Sequence, residues 1–557
     1  MTERLRISLL LSLTILVYGN TLANGFTMDD FPYILNNPAV TSPSIKAIFT
    51  ATKDLNIFRP LTFATFALNW ASGGTTVWGY HLVNLLLHSA VTLFLFLVLK
   101  ELLETVPQGT TVAWVAALLF AVHPIHTETV ASIVGRSESL AVGFLLAAWL
   151  LHLHDRLIPA LVCFVLALLA KESAVTFLPL ALAGDYARGK LKPLRRYGSI
   201  AGVTLLYLAL LRKAQGGRFG EKFINALDNP LAHIPASLRI LNALRIAWKY
   251  LGLHVYPATL SCDYSYSAIV VYSSWRQTVP AAVATVFVLG LWIWAIRKQQ
   301  KEWVLAGAVY FIGFAVTANI LVPTGTMMGE RLAYLPSAGF CVLVALLWAR
   351  LEKHQRRLAW TVLALAVAAL AVRTIVRNRD WRDNFTLFSA AVRAVPESAK
   401  AHAALGTEFM HRGQLDEAET EFQTTLRIYP SFVEAMVSYG IIESRLGHDG
   451  EALRLMQEAL SMTAKDDIRY EYEAVTLAAQ LMKLGRNDDA LKILNEEIAA
   501  SPGDSRAWSN RAVIRYWRGD AESARADATA ALRLDPTNAQ AQRLLGVMNE
   551  STLVPQP

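Results

Sequence analysis

The sequence is poor in charge and in cysteine. Only 17% of its 557 residues are charged, whereas soluble proteins carry about 25%. Its three cysteines include no C-x-x-C pair, which argues against a disulfide framework or a cysteine metal knuckle. The sequence also lacks a Walker loop, a G-x-G-x-x-G turn, an H-E-x-x-H pair and a nucleophile elbow. These absences argue against a nucleotide-driven pump and a hydrolase of the soluble type.

The charge that is present is divided unevenly along the chain. Residues 1–396 contain 35 Lys and Arg against 19 Asp and Glu, and residues 397–557 contain 17 against 25. Basic residues of a membrane protein usually mark its cytoplasmic loops, so the basic total does not predict a nucleic-acid partner. We predict an all-α protein with a transmembrane catalytic domain over 1–378, a connector over 379–396, a four-repeat domain over 397–546 and a tail over 547–557.

The basic part contains apolar segments that suit membrane-spanning helices, which need about 20 mostly apolar residues. Residues 1–24 share features with a signal peptide, but we interpret them as an uncleaved first span. Segment 237–260 mixes cations with leucines, and we interpret it as an amphipathic helix at the membrane interface. Segments 157–170 and 172–186 are short and could form one broken helix. The sequence predicts eleven spans: 7–24, 80–99, 111–125, 138–153, 157–170, 172–186, 197–212, 278–297, 302–322, 334–350 and 358–376.

The loops between these segments alternate in charge. Six short loops rich in Lys and Arg fall on one side, which the charge rule assigns to the cytoplasm. The loops 25–79, 126–137, 213–277 and 323–333 and the turn around residue 171 then lie on the exoplasmic side. Because the number of spans is odd, everything after residue 376 is predicted on that side as well.

The acidic part contains an internal repeat. Gly413, Gly447, Gly485 and Gly519 recur at spacings of 34, 38 and 34 residues, and an alanine follows each glycine by five positions. A 34-residue period is typical of tetratricopeptide repeats. Such helix pairs bury their apolar faces only by stacking on their neighbours. The sequence therefore predicts four repeats that form a solenoid, which would bind a peptide or a protein.

The first predicted exoplasmic loop begins with the adjacent carboxylates Asp29 and Asp30. Low dielectric and mutual repulsion raise the pKa of one carboxyl of such a pair, which suits a general base. A solvated acidic turn is the alternative. His81, Asn84 and His88 follow on one face of the second span, where polar groups are costly and indicate function. Metal binding by the two histidines lacks a third ligand.

The other predicted exoplasmic loops carry clusters of mixed charge. Opposite charges could simply neutralise each other, but together they suit an anionic lipid headgroup, because arginine binds phosphate oxygens bidentately. The cations are Arg59, Arg136, Lys171 and Arg331, and the neighbouring residues are His123, Glu128, Glu138, Glu172 and Tyr334.

In this order, and followed by the repeats, these motifs resemble the transmembrane and tetratricopeptide-repeat (TMTC) protein O-mannosyltransferases of the GT-C class. The resemblance runs from Asp29-Asp30 to Asp380-Trp381-Arg382-Asp383 and into the repeats. It implies inverting transfer of mannose or a similar sugar from a polyprenyl- or dolichyl-phosphate donor to Ser or Thr hydroxyls of exported proteins. One aspartate would be the base and the other would orient it. Arg331 would hold the donor phosphate first, with Arg59, Arg136 and Lys171 behind it, and the supporting residues would be His81, Asn84, His88, His123, Glu128, Glu138, Glu172 and Tyr334.

The resemblance also bears on cofactors, location and partners. The leaving phosphate already carries negative charge, so no cofactor is required, and a divalent Mg or Mn ion beside the carboxylates stays open. The protein would lie in a bacterial inner membrane, or in the endoplasmic reticulum of a eukaryote, with its site and solenoid on the periplasmic or lumenal side. Two alternatives stay open: a transferase that modifies lipid or surface glycan, and a non-catalytic membrane scaffold.

Overall fold

The computed structural model describes residues 1–50, 57–214, 224–465 and 467–551, and all regular elements within these ranges are helical. The chain divides into two compact units, Met1–Ser398 and Ala399–Pro557. The end of the predicted tail, residues 552–557, lies outside the described residues.

The first unit is built from helices of very different length. The longer ones are Glu3–Tyr18, Pro60–Gly73, Trp78–Leu102, Gly109–Val122, Arg136–Leu153, Leu157–Ala170, Phe177–Arg188, Leu194–Ala214, Ala236–Val255, Trp275–Arg297, Lys301–Phe314, Tyr334–His354, Arg356–Asn378 and Asn384–Ala394. Short helical turns join them: Gly19–Ala23, Phe31–Leu35, Pro38–Thr41, Ile45–Thr50, Pro124–His126, Thr127–Ala131, Glu172–Thr176, Pro230–His233, Glu330–Ala333 and Arg379–Trp381.

Each of the eleven predicted spans overlaps one of these helices, but fewer are long enough to cross a bilayer. Among the described residues, five helices qualify by length and composition: Glu3–Ala23, Trp78–Leu102, Trp275–Arg297, Glu330–His354 and Arg356–Trp381. The pair Gly109–Val122 and Pro124–Ala131, bent by 53°, gives a sixth if it is one span. Leu157–Ala170 has 14 residues and is therefore only about 21 Å long, against about 30 Å of hydrocarbon. The described helices support a membrane protein with five or six such helices rather than a clear eleven.

Close helix packing forms the core of this unit. Phe96, Phe120, Trp149 and Phe164 are buried within it. A Cβ atom on Gly339 would lie 2.5 Å from the backbone nitrogen of Tyr310, so only glycine allows helix Tyr334–His354 to approach its neighbour this closely. Small residues serve the same purpose wherever helices pack in membranes.

The second unit consists of four helix pairs and a final helix: Ala399–His411 with Leu415–Ile428, Val433–Leu446 with Asp449–Met462, Ile468–Lys483 with Asn487–Ala500, Ser505–Trp517 with Ala521–Leu534, and then Ala539–Ser551. The four periodic glycines lie in the turns within the pairs, with positive φ angles of 72° to 88°. This left-handed conformation favours glycine, which explains why the glycine recurs. The alanines five positions later are fully buried between helices.

Candidate active site

The loop that carries Asp29 and Asp30 follows the first helix and is held by hydrogen bonds from the backbone amides of Gly25 and Met28. Met28 has a φ of 44°, a left-handed conformation that costs a non-glycine residue about 1–3 kcal/mol. The Met28 amide donates to Asn384 Oδ1 over 2.9 Å, and the Gly25 amide donates to the Arg382 carbonyl over 2.8 Å. These bonds tie the loop to the segment that follows helix Arg356–Asn378.

Asp30 is fully buried and holds the loop in place. Its Oδ2 accepts a hydrogen bond of 2.9 Å from the Thr27 amide, and its Oδ1 accepts one of 3.0 Å from the Val134 amide. Burial raises the pKa of Asp30 to about 7, although these hydrogen bonds oppose the shift. Asp30 therefore connects its own loop to the loop that contains Val134, and it is not open to a substrate.

Asp29 is partly exposed, and its carboxylate forms no hydrogen bond or ion pair within the described part of the chain. Its backbone carbonyl accepts from the Tyr33 amide over 3.1 Å, at a single wide helical turn over Phe31–Leu35. Wide turns of this type often occur at functional sites. The charge of Asp29 acts on Tyr33 and on Arg331, so these groups are neighbours. Of the two aspartates, Asp29 is the accessible one.

Three ion pairs belong to the same cluster of charges. Arg331 donates to both oxygens of Glu128, through its Nη1 and its backbone amide. Lys171 Nζ lies 2.6 Å from Glu138 Oε2, and both side chains are about 95% buried. Arg59 binds the two oxygens of Glu172 over 2.7 and 3.1 Å.

The charges of these pairs also interact across the pairs. Arg331 and Arg59 both act on Lys171, and Glu138 and Asp29 both act on Arg331. Burial lowers the pKa of Lys171, and Glu138 counters this shift. Since each cation has its own glutamate, Asp29 is the carboxylate of this cluster without a cationic partner among the described residues.

Arg136 has a different environment from the other predicted phosphate ligands. It is fully buried, and its guanidinium donates to Asn84 Oδ1 over 2.9 Å, to Asn69 Oδ1 over 2.6 Å and to the Tyr80 carbonyl over 3.0 Å. Its guanidinium carbon also lies 4.7 Å from the centre of the Phe66 ring. Because neutral protein acceptors occupy its donors, Arg136 fixes helix Arg136–Leu153 in place rather than facing the charge cluster.

The predicted histidines are buried inside the unit, and His88 and His123 are hydrogen-bonded there. His88 Nδ1 lies 2.7 Å from the Tyr334 hydroxyl. His123 Nδ1 accepts from the Ile125 amide, so its Nε2 carries the proton that it donates to the His254 carbonyl over 3.0 Å. His81 is also fully buried. These side chains support the helices behind the charge cluster.

Metal-ligand geometry occurs elsewhere in the described residues. One group of three side chains lies close enough to hold an ion, and it belongs to the solenoid: Glu471, Glu497 and Asp504. Arg506 already donates to Glu471 over 3.2 Å and to Asp504 over 3.2 Å. The histidines near the charge cluster form no comparable group within the described ranges.

Comparisons with known proteins identify relatives of this chain. Residues 221–290 match the family model described as Protein O-mannosyl-transferase TMTC, DUF1736, and tetratricopeptide-repeat models match 363–431, 403–467 and 475–539. A Caenorhabditis elegans protein named Protein O-mannosyl-transferase F38B6.6 is 31% identical over 442 residues, which are 76% of this chain and 63% of that protein. The chain is related to the TMTC family. The resemblance predicted from its motifs is confirmed.

Two further TMTC relatives extend this comparison. Human TMTC3 is 27% identical over 96% of this chain and 64% of its own length. Drosophila melanogaster Tmtc1 is 29% identical over 76% of this chain and 61% of its own length. The chain thus spans about three fifths of the length of the TMTC relatives it matches. Among solved structures, YrrB, a TPR protein with an unusual peptide-binding site, is 17% identical over 35% of this chain and 96% of YrrB, with a TM-score of 0.25.

The segment that matches the TMTC model contacts the site through Glu330, which was not among the predicted site residues. Glu330 Oε1 accepts from the Ser261 amide over 2.6 Å and from the Tyr264 hydroxyl over 2.8 Å. Its Oε2 lies 3.7 Å from Arg377 Nη2. This buried network fixes the residue next to Arg331. Because its partners lie far apart in the chain, no local sequence pattern could have revealed it.

Proposed function

We propose that this chain is an inverting membrane glycosyltransferase of the GT-C type. It transfers mannose or a similar sugar from a polyprenyl-phosphate donor to a Ser or Thr hydroxyl of an exported protein. One observation carries the proposal: among the described residues Asp29 is an accessible carboxylate without a cationic partner, in the same cluster as three cations that are each paired with a glutamate. The names of the TMTC relatives supply the expectation of protein O-mannosyl transfer.

Asp29 acts as the general base in this proposal. Its carboxylate takes the proton of the acceptor hydroxyl while the hydroxyl oxygen forms a bond to the anomeric carbon. The bond from that carbon to the phosphate oxygen breaks, and the lipid phosphate leaves with the electron pair. A single displacement inverts the anomeric carbon. Positioned proton transfer of this type contributes about 10²–10⁴-fold in rate.

The cations of the cluster stabilise the leaving phosphate. Arg331 is 35% exposed and uses its Nη1 for Glu128, so we assign it first to the phosphate. Arg59 follows, because Glu172 occupies its Nε and Nη2 edge, and the more deeply buried Lys171 supplies charge at longer range. Fixed cations in a low dielectric stabilise developing negative charge without reorganisation. Asp30 orients the loop and takes no proton from the acceptor.

The eleven-span arrangement and the exoplasmic position of the site belong to the same proposal. Its support is the alternation of basic loops along the sequence. The solenoid serves as an arm that binds the acceptor or a partner protein, as expected for a repeat array.

The test is sugar transfer by the full chain in vesicles that contain a polyprenyl-phosphate sugar and a Ser/Thr peptide. We expect Asp29→Asn to lower the rate about 10²–10⁴-fold without loss of folded protein. Asp155→Asn is the matched control, because Asp155 is an exposed carboxylate whose partners are Lys192 and Arg196. Mass spectrometry of peptide and lipid products identifies the acceptor. An Asp29→Asn variant as active as the control would refute the proposed base.

A further inference from the structure

Helix Ala236–Val255 carries two cations one turn apart that have no acidic partner in the described part of the chain. Arg245 and Lys249 form no ion pair with any of the described residues, and the charge of Arg245 acts on Lys249. Like charges four residues apart on a helix repel and destabilise it. An anionic ligand between the two side chains would relieve this repulsion.

Arg245 is held in one orientation by its surroundings. Its Nη1 donates to the Val270 carbonyl over 2.8 Å and to Asn242 Oδ1 over 3.3 Å. Its guanidinium carbon lies 3.8 Å from the centre of the Tyr272 ring. These bonds use both hydrogens of Nη1, so the edge formed by Nε and Nη2 has no protein acceptor among the described residues. That edge is the fork that binds phosphate oxygens bidentately.

Tyr272, whose ring lies beneath Arg245, is fixed to the helix through its backbone. The buried Asn242 side chain donates through Nδ2 to the Tyr272 carbonyl over 3.0 Å and accepts from the Tyr272 amide over 2.9 Å. Lys249 is exposed, and its Nζ lies 5.4 Å from the centre of the Tyr264 ring. The arginine fork is thus arranged before any ligand arrives, which reduces the cost of binding.

An apolar helix packs against the helix that carries the two cations. The Trp248 indole donates to the Ala281 carbonyl over 3.1 Å and to Thr285 Oγ1 over 3.0 Å. Both acceptors lie on helix Trp275–Arg297, which is long and apolar enough to cross a membrane. Leu289 and Leu291, which flank this contact face, are 37% and 51% exposed. A ligand with a phosphate head and a hydrocarbon tail matches this neighbourhood, whereas a free phosphate would leave the apolar surface unused.

We propose that Arg245 and Lys249 form a binding site for the phosphate of a membrane lipid, with its tail against helix Trp275–Arg297. The site lies within the segment that matches the TMTC model and shares no residue with the three ion pairs around Asp29. The inference does not rest on the proposed transfer reaction, because binding alone tests it. An ordinary anionic lipid and the polyprenyl-phosphate donor present the same headgroup chemistry.

The test is a binding titration of the full chain in neutral detergent, measured by native mass spectrometry. The probes are farnesyl phosphate, a short-chain phosphatidylglycerol and inorganic phosphate. We expect the double variant Arg245→Gln/Lys249→Gln to bind the lipid phosphates at least about tenfold more weakly, because it loses charge-assisted hydrogen bonds. Arg245→Lys keeps the charge but loses the fork, so it should fall between the double variant and the original chain.

Arg297→Gln is the matched control, since it removes a cation from the opposite end of helix Trp275–Arg297. Circular dichroism of each variant verifies the fold. Weaker binding of farnesyl phosphate alone assigns the site to a prenyl-type lipid, and weaker binding of both lipids assigns it to anionic headgroups in general. Equal binding of both lipids by the double variant and the control overturns the proposal, as does a loss confined to inorganic phosphate.

Discussion

The buried pair of Lys171 and Glu138 allows a quantitative test of the charge cluster. The two side chains are 5% and 4% exposed and 2.6 Å apart. Glu138→Gln leaves the lysine charge buried without its counter-ion, and breaking a buried pair in this way costs about 3–5 kcal/mol. Glu172→Gln makes the same chemical change in a pair whose carboxylate is 39% exposed. Solvent screens such a pair, so we expect a loss of about 0–1 kcal/mol there.

The assay is the free energy of unfolding of the purified chain, obtained by denaturant titration in mixed micelles. Glu138→Gln should unfold at clearly lower denaturant than Glu172→Gln, and Lys171→Met should resemble Glu138→Gln. The double variant Lys171→Met/Glu138→Leu removes both charges and should recover much of the stability, because apolar residues often replace a buried pair at little cost. Equal stabilities of Glu138→Gln and Glu172→Gln would refute the reasoning, and so would a double variant no more stable than the single ones.

Two further predictions concern Asp30 and the solenoid. The folded-state pKa of Asp30 is raised to about 7, above the usual value for an aspartate, so its contribution to stability is complete below about pH 4 and is lost as the pH rises through 7. Asp30→Asn should therefore flatten the decrease in melting temperature between pH 4 and 7, and an unchanged slope would contradict the assignment. Gly485→Ala, at a φ of 72°, should destabilise the solenoid by about 1–2 kcal/mol in thermal circular dichroism. Gly503→Ala has open space and no positive φ, and an equal loss there would count against the turn argument.

The sequence predicted the groups of the charge cluster better than their pairing. Arg59, Lys171 and Arg331 could be named because each lies in a short polar motif between apolar segments. Their partners could not be assigned, because Arg59 and Glu172 are 113 residues apart. Arg136 looked equivalent to the other cations, yet its acceptors are neutral groups on other elements, which no local pattern indicates.

The aspartates and the helices show the same limit of local information. Residues in a loop do not alternate regularly between buried and exposed positions. Which of the two aspartates is buried therefore depends on distant residues, such as Val134, whose amide donates to Asp30. The period of the repeats predicted their helix pairs because the glycine turn is a local requirement. The predicted spans located helices correctly, but apolar composition does not set the point at which a helix ends, as the 14 residues of Leu157–Ala170 show.

The attachment of the Asp29 loop to Arg382 and Asn384 changes where the membrane unit can be cut. The sequence predicted a domain boundary at residue 378, followed by a connector over 379–396. The backbone of the Asp29 loop is bonded to residues of that connector, and the first compact unit continues to Ser398. A truncation at 378 would remove the supports of the proposed base together with the solenoid. Loss of activity in such a fragment would say nothing about the repeats, whereas a cut after Ser398 would test them alone.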